Sequence, residues 1–182
     1  MRVITGSARG RKLITLEGDD VRPTTDIVKE ALFSIIQFEI EGRKVLDLFG
    51  GSGQLAIEAL SRGADSAVIV DLSRKSVEVI KQNLEHTGFL KKAVVVQSDA
   101  MSFLSRRTEK YDIAIIDPPY SKGLVEAALD KVHEVMNEGG VIICEAPYKD
   151  ELPEWSGNFR LQKKYRYGKT GLFLYRFSEE EA

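Results

Sequence analysis

Four consecutive residues near the middle of the chain, Asp117, Pro118, Pro119 and Tyr120, have types and an order that could position an amine for reaction. The preceding residues 113–116 form a short, β-branched apolar run, which is typical of a strand buried on both faces. Because the two prolines lack amide donors and fix φ, the strand must end before them and leave Asp117 at its carboxyl end. Ligands bind at that edge of open α/β sheets.

The chemistry that this tetrapeptide could support is recognition of an exocyclic amino group on a nucleobase. An ionised Asp117 only accepts hydrogen bonds, and the Pro118 carbonyl is a second acceptor held in a fixed direction. Tyr120 offers an aromatic face on which a flipped base can stack, as enzymes that modify bases require. The alternative is that the prolines only end a strand and that Tyr120 covers the core. The tetrapeptide alone does not decide between the two.

The elements that would position this loop alternate between strand and helix. The pattern predicts strands at residues 44–49, 66–71, 93–97, 113–116 and 141–145. It predicts helices at residues 54–62, 73–87 and 124–137, with a short helix through 103–104. Such alternation indicates an α/β fold with a doubly wound, mostly parallel, Rossmann-like sheet. At the end of the chain, residues 159–167 and 172–177 predict an antiparallel hairpin around 168–171.

Residues 1–40 are predicted to form an extension in front of a core of residues 41–182, within one domain. Two short strands, residues 2–5 and 12–16, flank a turn that contains glycine and predict an amino-terminal hairpin. A helix follows, and residues 22–26 supply a proline at its start, a hydroxyl that can cap it and an acid in its first turn. We expect this helix to pack beside the ligand-binding edge of the sheet.

A glycine-rich turn after the first predicted strand could hold a nucleotide cofactor. Gly51, Gly53 and Ala56 match the loose dinucleotide pattern. Asp71 follows Gly51 by 20 residues, the spacing of an acid that binds a ribose diol, so the pattern permits NAD. However, Asp47 stands just before the glycines, and a carboxylate suits a pyrophosphate poorly. An acid at that position favours a cationic ligand.

S-adenosylmethionine is a nucleotide with the required positive charge, since it carries an ammonium and a sulfonium group. Its ribose would suit Asp71, and its adenine amino group could donate to Asp99, which follows the third predicted strand. With Asp47 and Asp117, acids would then stand at four strand ends and outline a methyl donor laid along the sheet edge towards an amine. Taken singly, Asp71 and Asp99 could instead be helix caps, but the set of four favours the methyl donor.

Several segments of the sequence resemble one known family, the RsmD family of bacterial methyltransferases. The matching segments are residues 1–6, 9–13, 22–24, 30–33, 45–53, 117–120 and 167–171. The resemblance covers nearly the whole chain, and its amino-terminal part is the most specific, because Asp-Pro-Pro-Tyr is shared with other amine methyltransferases. It implies a class I fold that binds S-adenosylmethionine, and methylation of the exocyclic N2 amine of one guanine in 16S ribosomal RNA.

The resemblance also implies roles for individual residues. The acids and glycines expected to bind the cofactor, with their sequence neighbours, are Asp47, Phe49, Gly50, Gly51, Gly53, Asp71, Leu72, Asp99 and Ala100. Arg22 and Thr25 are expected to border the cofactor. Those expected to bind the target are Asp117, Pro118, Pro119 and Tyr120. The family more often has alanine at Gly51, glutamate at Asp71 and arginine at Ile27. We expect Gly51 only to free space, Asp71 to bring the ribose closer, and the first helix to lack one RNA contact.

Composition excludes several other kinds of protein. The 182 residues contain one cysteine and two histidines, so the sequence provides neither an internal disulfide nor a metal-ligand cluster. Cys144 lies in an apolar run and is expected to be a packed thiol in a reducing cytoplasm. No segment has the length and hydropathy of a membrane span, and the first ten residues do not resemble a signal peptide.

Charge is unevenly divided along the chain. The formal net charge is −2, yet residues 1–12 and 155–178 hold ten of the 26 basic residues and no acid. The second segment interleaves its basic residues with aromatic ones, Phe159, Tyr165, Tyr167 and Phe173. This pattern predicts a surface for a polyanion rather than ordinary solvated strands. The residues predicted to bind RNA are Arg9, Arg11, Lys12 and Lys169. A small domain without a dedicated RNA-binding extension, and the family resemblance, favour a preformed small ribosomal subunit as the substrate. A monomer is the default expectation.

Other functions remain open at this level. An adenine or glutamine amine methyltransferase shares Pro-Pro-Tyr but usually has asparagine at the position of Asp117. A nicotinamide-dependent reductase would need a catalytic constellation of lysine, tyrosine or histidine that is not evident in the sequence. An inactive RNA-binding assembly factor that kept the fold would have no need to bind S-adenosylmethionine, so a binding measurement would separate it from an enzyme.

Overall fold

Eight strands form one mixed sheet within the residues that the computed structural model describes, which are 1–16, 25–106, 108–119 and 123–179. The strands are β1 (Lys44–Asp47), β2 (Ser66–Asp71), β3 (Ala93–Gln97), β4 (Tyr111–Ile116), β5 (Met136–Pro147), β6 (Trp155–Ser156), β7 (Phe159–Tyr167) and β8 (Thr170–Phe177). The helices are α1 (Asp26–Ile35), α2 (Gln54–Ser61), α3 (Arg74–Thr87), α4 (Ala100–Leu104) and α5 (Leu124–Val132). Short 3₁₀ turns cover Leu90–Lys92 and His133–Val135.

The order of the strands across the sheet is β3-β2-β1-β4-β5-β8-β7-β6. The first five strands pair in parallel, whereas β8 pairs antiparallel with β5, and β7 and β6 continue the antiparallel part. Because β2 and β3 lie on one side of β1 while β4 and β5 lie on the other, the chain changes direction between β1 and β4. Ligands bind outside the strand ends at such a switch point. The predicted Rossmann-like sheet with a C-terminal hairpin is confirmed.

Both faces of the central strands are buried, which explains their uninterrupted apolar sequences. In β4, Ile113 and Ile115 contact one core, which also contains side chains of α1, α2, α3 and residues 1–13. Ala114 and Ile116 contact the other core, which is shared with α4 and α5. We call these sides of the sheet the α2 face and the α5 face. Cys144 is buried on the α5 face, as expected of a packed thiol.

The largest difference from the predicted elements lies after α5. The periodicity predicts a helix over residues 124–137, but α5 ends at Val132 and β5 begins at Met136. The register between β4 and β5 shifts where residues 137–140 pass. A Cβ at Gly140 would lie 2.8 and 2.9 Å from two backbone carbonyl oxygens, so glycine is required there. The prediction was wrong because Met136 is buried in the α5-face core, which gives it the apolar signature of a helical core position.

Other boundaries differ by a few residues. β1 ends at Asp47, α3 begins at Arg74 and β8 begins at Thr170. The two predicted amino-terminal strands are reduced to one antiparallel bridge between Arg2 and Lys12. The physical reason is that other backbone groups of this segment bond to side chains of α2 and α3.

The predicted cap of the first helix is confirmed. The hydroxyl of Thr25 accepts a hydrogen bond from the amide of Val28 at 3.3 Å, which satisfies one free donor at the start of α1. The proline entry predicted at residues 22–24 lies outside the described residues.

Residues 1–16 lie across α2 and α3 and are held there by a buried carboxylate. Glu58 of α2 is fully buried, and its oxygens accept hydrogen bonds from the amides of Ile4 at 2.8 Å and Thr5 at 2.9 Å. The same carboxylate forms an ion pair at 2.8 Å with Arg62, one helical turn later. Glu58 therefore takes the place of the strand partner that the sequence predicts for residues 2–5.

We expect Glu58→Ala to lower the free energy of unfolding by about 3 to 5 kcal/mol, because it leaves Arg62 uncompensated and two backbone amides unsatisfied. Urea denaturation measures this change. The exposed pair Arg74 and Glu78 has the same sequence spacing and a distance of 3.0 Å, so Glu78→Ala is the matched control. We expect Glu78→Ala to lower the free energy of unfolding by at most about 0.5 kcal/mol. Equal losses in the two variants would contradict a clamping role for Glu58.

Candidate active site

A cavity of about 610 Å³ opens at the carboxyl ends of β1, β2, β4 and β5. Its wall includes the turn after β1, the first residues of α2 and α3, the segment that follows β3 and the loop that follows β4. Residues from the two ends of the chain, Met1, Thr15, Leu16 and Thr170, complete the wall. The cavity is thus built at the switch point of the sheet, where the sequence predicts a ligand.

Asp47 ends β1 and is a buried acid without a hydrogen-bond partner. Its side chain is 1% exposed, and neither carboxylate oxygen forms a hydrogen bond with a described residue. Burial, followed by the nearby charge of Asp117, raises the pKa of Asp47 to about 7. The amides of Phe49 and Ala56 oppose this rise but do not satisfy the carboxyl group. Such a group favours a cationic or hydrogen-bond-donating ligand beside it.

The glycine-rich turn lies between Asp47 and α2, and each glycine has its own physical reason. A Cβ at Gly50 would lie 2.5 Å from a side-chain carbon of Ile69, so no larger residue fits there. At Gly51 a Cβ would meet nothing within 4 Å, but φ is +56°, a conformation that favours glycine. The expectation that Gly51 only frees space was therefore wrong. Gly53 is the N-cap residue of α2, and no side chain caps the helix there.

Two further acids lie on the cavity wall and also organise the backbone. Asp71 accepts hydrogen bonds from the amides of Gly51 and Ser73, each at 2.8 Å, and so joins the glycine turn to the start of α3. Asp99 caps α4 by accepting from the amide of Ser102 at 2.9 Å. The capping interpretation is thus correct for Asp99. Each carboxylate oxygen carries two lone pairs, so both acids can still accept a bond from a ligand.

The loop after β4 forms the opposite part of the wall. Asp117, Pro118 and Pro119 all line the cavity, and Asp117 is half-buried. Tyr120 lies outside the described residues. The structure therefore brings the first three residues of the predicted target motif to the same cavity as the glycine turn.

Glu145 and Thr170 also line the cavity, and sequence reasoning did not select either of them. Glu145 lies in β5, one strand beyond Asp117. The signal that could have found it is the one that selected Asp47 and Asp117, an acid at the carboxyl end of a buried strand. Thr170 could not have been found in this way, because it begins an antiparallel strand.

The remaining residues predicted for the cofactor are divided between wall and interior. Thr25, Phe49, Leu72 and Ala100 line the cavity, together with Gly50, Gly51, Asp71 and Asp99. Asp47 and Gly53 lie behind this wall, and Arg22 lies outside the described residues. Leu72 is 69% exposed, so it presents an apolar surface at the rim.

The basic residues predicted to bind RNA lie in two separate places. The turn that carries Arg9, Arg11 and Lys12 lies against the C-terminal ends of α2 and α3, where Arg11 donates a hydrogen bond to the carbonyl of His86. The N-terminal ends of the same helices line the cavity. A helix of 14 residues such as α3 is about 21 Å long, so this turn is remote from the cavity. Lys169 instead precedes Thr170, at the cavity wall.

Two of the four aromatic residues predicted to face a polyanion have a different role. Phe159 and Phe173 are buried in the core, with exposures of 3% and 1%. The ammonium group of Lys164 lies 4.5 Å from the ring centre of Tyr148 and 4.9 Å from that of Phe173. The alternating pattern of basic and aromatic residues therefore reflects the two faces of β7 and β8, and the buried rings do not form a stacking surface.

Two properties of the described residues bear on the kind of site. In the parts of the chain that the structure describes, no cluster of histidine, cysteine and acidic side chains is arranged to hold a metal ion. Within those same parts, every helix is too short or too polar to cross a membrane.

Comparison with known proteins shows which family has this arrangement. The family described as "Conserved hypothetical protein 95" matches residues 1–176. YlbH of Bacillus subtilis (strain 168), named as a candidate rRNA methyltransferase, is 39% identical over 181 residues, which cover 97% of this chain and 98% of YlbH. Ribosomal RNA small subunit methyltransferase D of Escherichia coli (strain K12) is 35% identical over 179 residues, which cover 96% of this chain and 89% of that protein.

A solved structure agrees with these sequence matches. That of yhhF from Escherichia coli has a TM-score of 0.88 and 32% sequence identity, and the match covers 99% of both chains. The similarity in sequence therefore extends to the fold of nearly the whole chain. The chain belongs to the RsmD family, that of ribosomal RNA small subunit methyltransferase D.

Proposed function

We propose that this protein transfers a methyl group from S-adenosylmethionine to the exocyclic N2 amine of a guanine in 16S ribosomal RNA. The observation that carries the proposal is the single cavity that joins the glycine turn, with the buried Asp47 behind it, to Asp117 and Pro118. The names of the relatives support an RNA substrate in the small ribosomal subunit.

The residues present fit S-adenosylmethionine better than a dinucleotide. Asp47 is buried and has no hydrogen-bond partner among the described residues, which suits the positive charge of the methionine part of the cofactor. Asp71 is the acceptor for the ribose, and Asp99 is the acceptor for the adenine amino group. The exposed Leu72 offers an apolar contact to the adenine ring. A pyrophosphate in place of these groups would be repelled by the carboxylates of Asp71 and Asp99 on the wall and of Asp47 behind it.

The bound cofactor supplies a methyl group that its sulfonium already activates for nucleophilic attack. The task of the protein is therefore to hold the amine in line with that group. The lone pair of a guanine amine is delocalised into the ring, and hydrogen bonds from the amine to Asp117 and the Pro118 carbonyl favour a tetrahedral, nucleophilic nitrogen. Because the prolines fix the backbone, both acceptors keep their direction. Asp117 or solvent receives the proton that the amine then loses.

The substrate is most simply a preformed ribonucleoprotein surface, the small ribosomal subunit. The described chain contains one sheet with its helices and no separate RNA-binding module. The turn with Arg9, Arg11 and Lys12 lies away from the cavity, so an RNA that contacts both must cover the side of the protein along α2 and α3. A folded particle presents a surface of that extent. We propose that the protein acts on it as a monomer in the cytoplasm.

Transfer of labelled methyl from S-adenosylmethionine into small ribosomal subunits, taken from cells that lack this protein, tests the proposal. Mass spectrometry of the labelled nucleoside identifies the product, and N2-methylguanosine in 16S RNA is the expected one. Label in adenosine or in a protein glutamine would point to another amine substrate. Binding of the cofactor without any transfer would point to a different reaction.

In the same assay we expect Asp117→Ala to abolish turnover while cofactor binding, measured by calorimetry, stays intact. The amine loses its main acceptor, whereas the acids assigned to the cofactor, Asp47, Asp71 and Asp99, are all retained. Asp112→Ala changes an acid in the same strand β4 at the opposite edge of the sheet and is the control. Near-normal turnover of Asp117→Ala would contradict its assignment.

Asp47→Asn should stabilise the unliganded protein and weaken cofactor binding. Because burial raises the folded-state pKa of Asp47 from 3.8 to about 7, the folded protein holds a proton that the unfolded chain has lost. The free energy of unfolding of the unliganded protein therefore falls as the pH rises from about 3.8 to about 7, and it is lowest above that range. The total decrease is up to about 4 kcal/mol. The variant removes this dependence, while affinity for S-adenosylmethionine falls about tenfold or more.

Unfolding curves at pH 5 and pH 8, with calorimetric titration of the cofactor, measure both effects of Asp47→Asn. Asp65→Asn changes an exposed acid in the loop before β2 and serves as the control, with an expected change within about 0.5 kcal/mol. Unchanged cofactor affinity in Asp47→Asn would remove this carboxyl from the binding site.

Charge reversal at Arg9, Arg11 and Lys12 should raise the KM for small subunits and reduce its dependence on salt. Each phosphate contact that is lost lowers the slope of log affinity against log salt by about 1. Lys91 and Lys92 are exposed basic residues of the 3₁₀ turn before β3, so their reversal is the matched control. If the KM of the triple variant matched that of the control, the RNA would approach from another side.

A further inference from the structure

Two carboxylates of the cavity wall lie side by side on neighbouring strands, and the proposed mechanism uses only one of them. Ile116 of β4 pairs with Cys144 of β5, so the residues that follow, Asp117 and Glu145, are neighbours across the sheet. Adjacent strands are about 4.8 Å apart. Both residues line the cavity and both are half-buried. A ligand group next to Asp117 therefore also lies next to Glu145.

The alternation of side chains places both acids on the side of the sheet that carries Asp47. Ile115 and Ile143, two residues before Asp117 and Glu145, both belong to the α2-face core. Asp47 pairs with Ile115 in the same register. Asp117 and Glu145 therefore line the cavity on the side behind which Asp47 is buried, and the charge of Asp117 raises the pKa of Asp47. A site of this kind favours a ligand that presents several hydrogen-bond donors next to one another.

Guanine differs from the other bases that carry an amine in the donors at its Watson–Crick edge. It presents the N1 hydrogen directly beside the N2 amine. Adenine and cytosine present an amine beside a ring nitrogen without hydrogen, whose lone pair would face a carboxylate and be repelled. An acceptor next to the amine-binding acid can therefore select guanine, because enzymes read a flipped base through this edge.

We propose that Glu145 determines the specificity for guanine by accepting the N1 hydrogen while Asp117 and the Pro118 carbonyl hold the N2 amine. This inference rests on the proposed function. The glutamate side chain is one methylene longer than that of Asp117, so it extends further from its strand towards the ring. Glu145 touches the substrate base but takes no part in the transfer of the methyl group. Its contribution is to the choice of base.

The test uses two substrates that share the reacting amine. Small subunits are reconstituted on ligated 16S RNA that carries, at the methylated position, either guanine or 2-aminopurine. 2-Aminopurine keeps the exocyclic amine and lacks the N1 hydrogen. The measured quantity is the ratio of kcat/KM for guanine to kcat/KM for 2-aminopurine. For the wild-type protein we expect this ratio to be large, because a buried acceptor without its donor is costly.

Glu145→Gln should lower kcat/KM for guanine by about tenfold or more and shrink the ratio. A glutamine amide can donate to the unprotonated N1 of 2-aminopurine. We therefore expect kcat/KM for 2-aminopurine to fall less than that for guanine, or even to rise. Glu145→Asp keeps an acceptor and should keep the preference for guanine at a lower rate. Glu138→Gln makes the same chemical change at an exposed position near the other end of β5 and should change neither quantity.

Two results would distinguish failure of this inference from failure of the proposed function. Equal losses on both substrates in Glu145→Gln, with the ratio unchanged, would show a structural role and overturn this inference alone. No transfer by the wild-type protein into subunits with guanine would overturn the proposed function itself. Calorimetric titration of each variant with S-adenosylmethionine confirms that the cofactor half of the site is intact.

Discussion

The carboxyl group of Asp47 is held in the interior at the end of the central strand, and the rest of the site is arranged around this constraint. A buried acid without a partner has a raised pKa and an unfavourable free energy when it is ionised. The fold keeps this group because the chain around it is fixed in other ways. Gly50 packs against Ile69, and Asp71 holds the amide of Gly51. A cationic ligand then binds a site whose backbone is already in place.

The parallel register of the sheet gives the site its chemical pattern. Each central strand ends at the same edge, so acids that are far apart in the sequence share one wall. In the proposed function, the acids nearest β2 and β3 bind the nucleoside part of the methyl donor, and those nearest β4 and β5 bind the base that carries the amine. The switch point between β1 and β4 lies between these two groups of acids.

Local signals in the sequence were sufficient for the central strands β1 to β4 and for the acids at their ends. Asp117 stands before two prolines and Asp47 before a run of glycines, so both boundaries are marked by residues with restricted or unusual backbone conformations. The features that were missed depend on packing between distant elements. Met136 has the spacing of a helix but lies in a strand, and Glu58 has no local sign that it binds residues 4 and 5.

The cavity wall contains Met1 from the start of the chain and Thr170 from its last strand, and this has a consequence for synthesis. Residues 4–14 leave the ribosome before their partners in α2 and α3, which follow 53 to 75 residues later. β8 is made after both of its neighbours in the sheet, β5 and β7, and must enter between them. Pairings of such long range form late in folding. A nascent chain therefore has no complete cavity until β8 has been synthesised and has paired with β5.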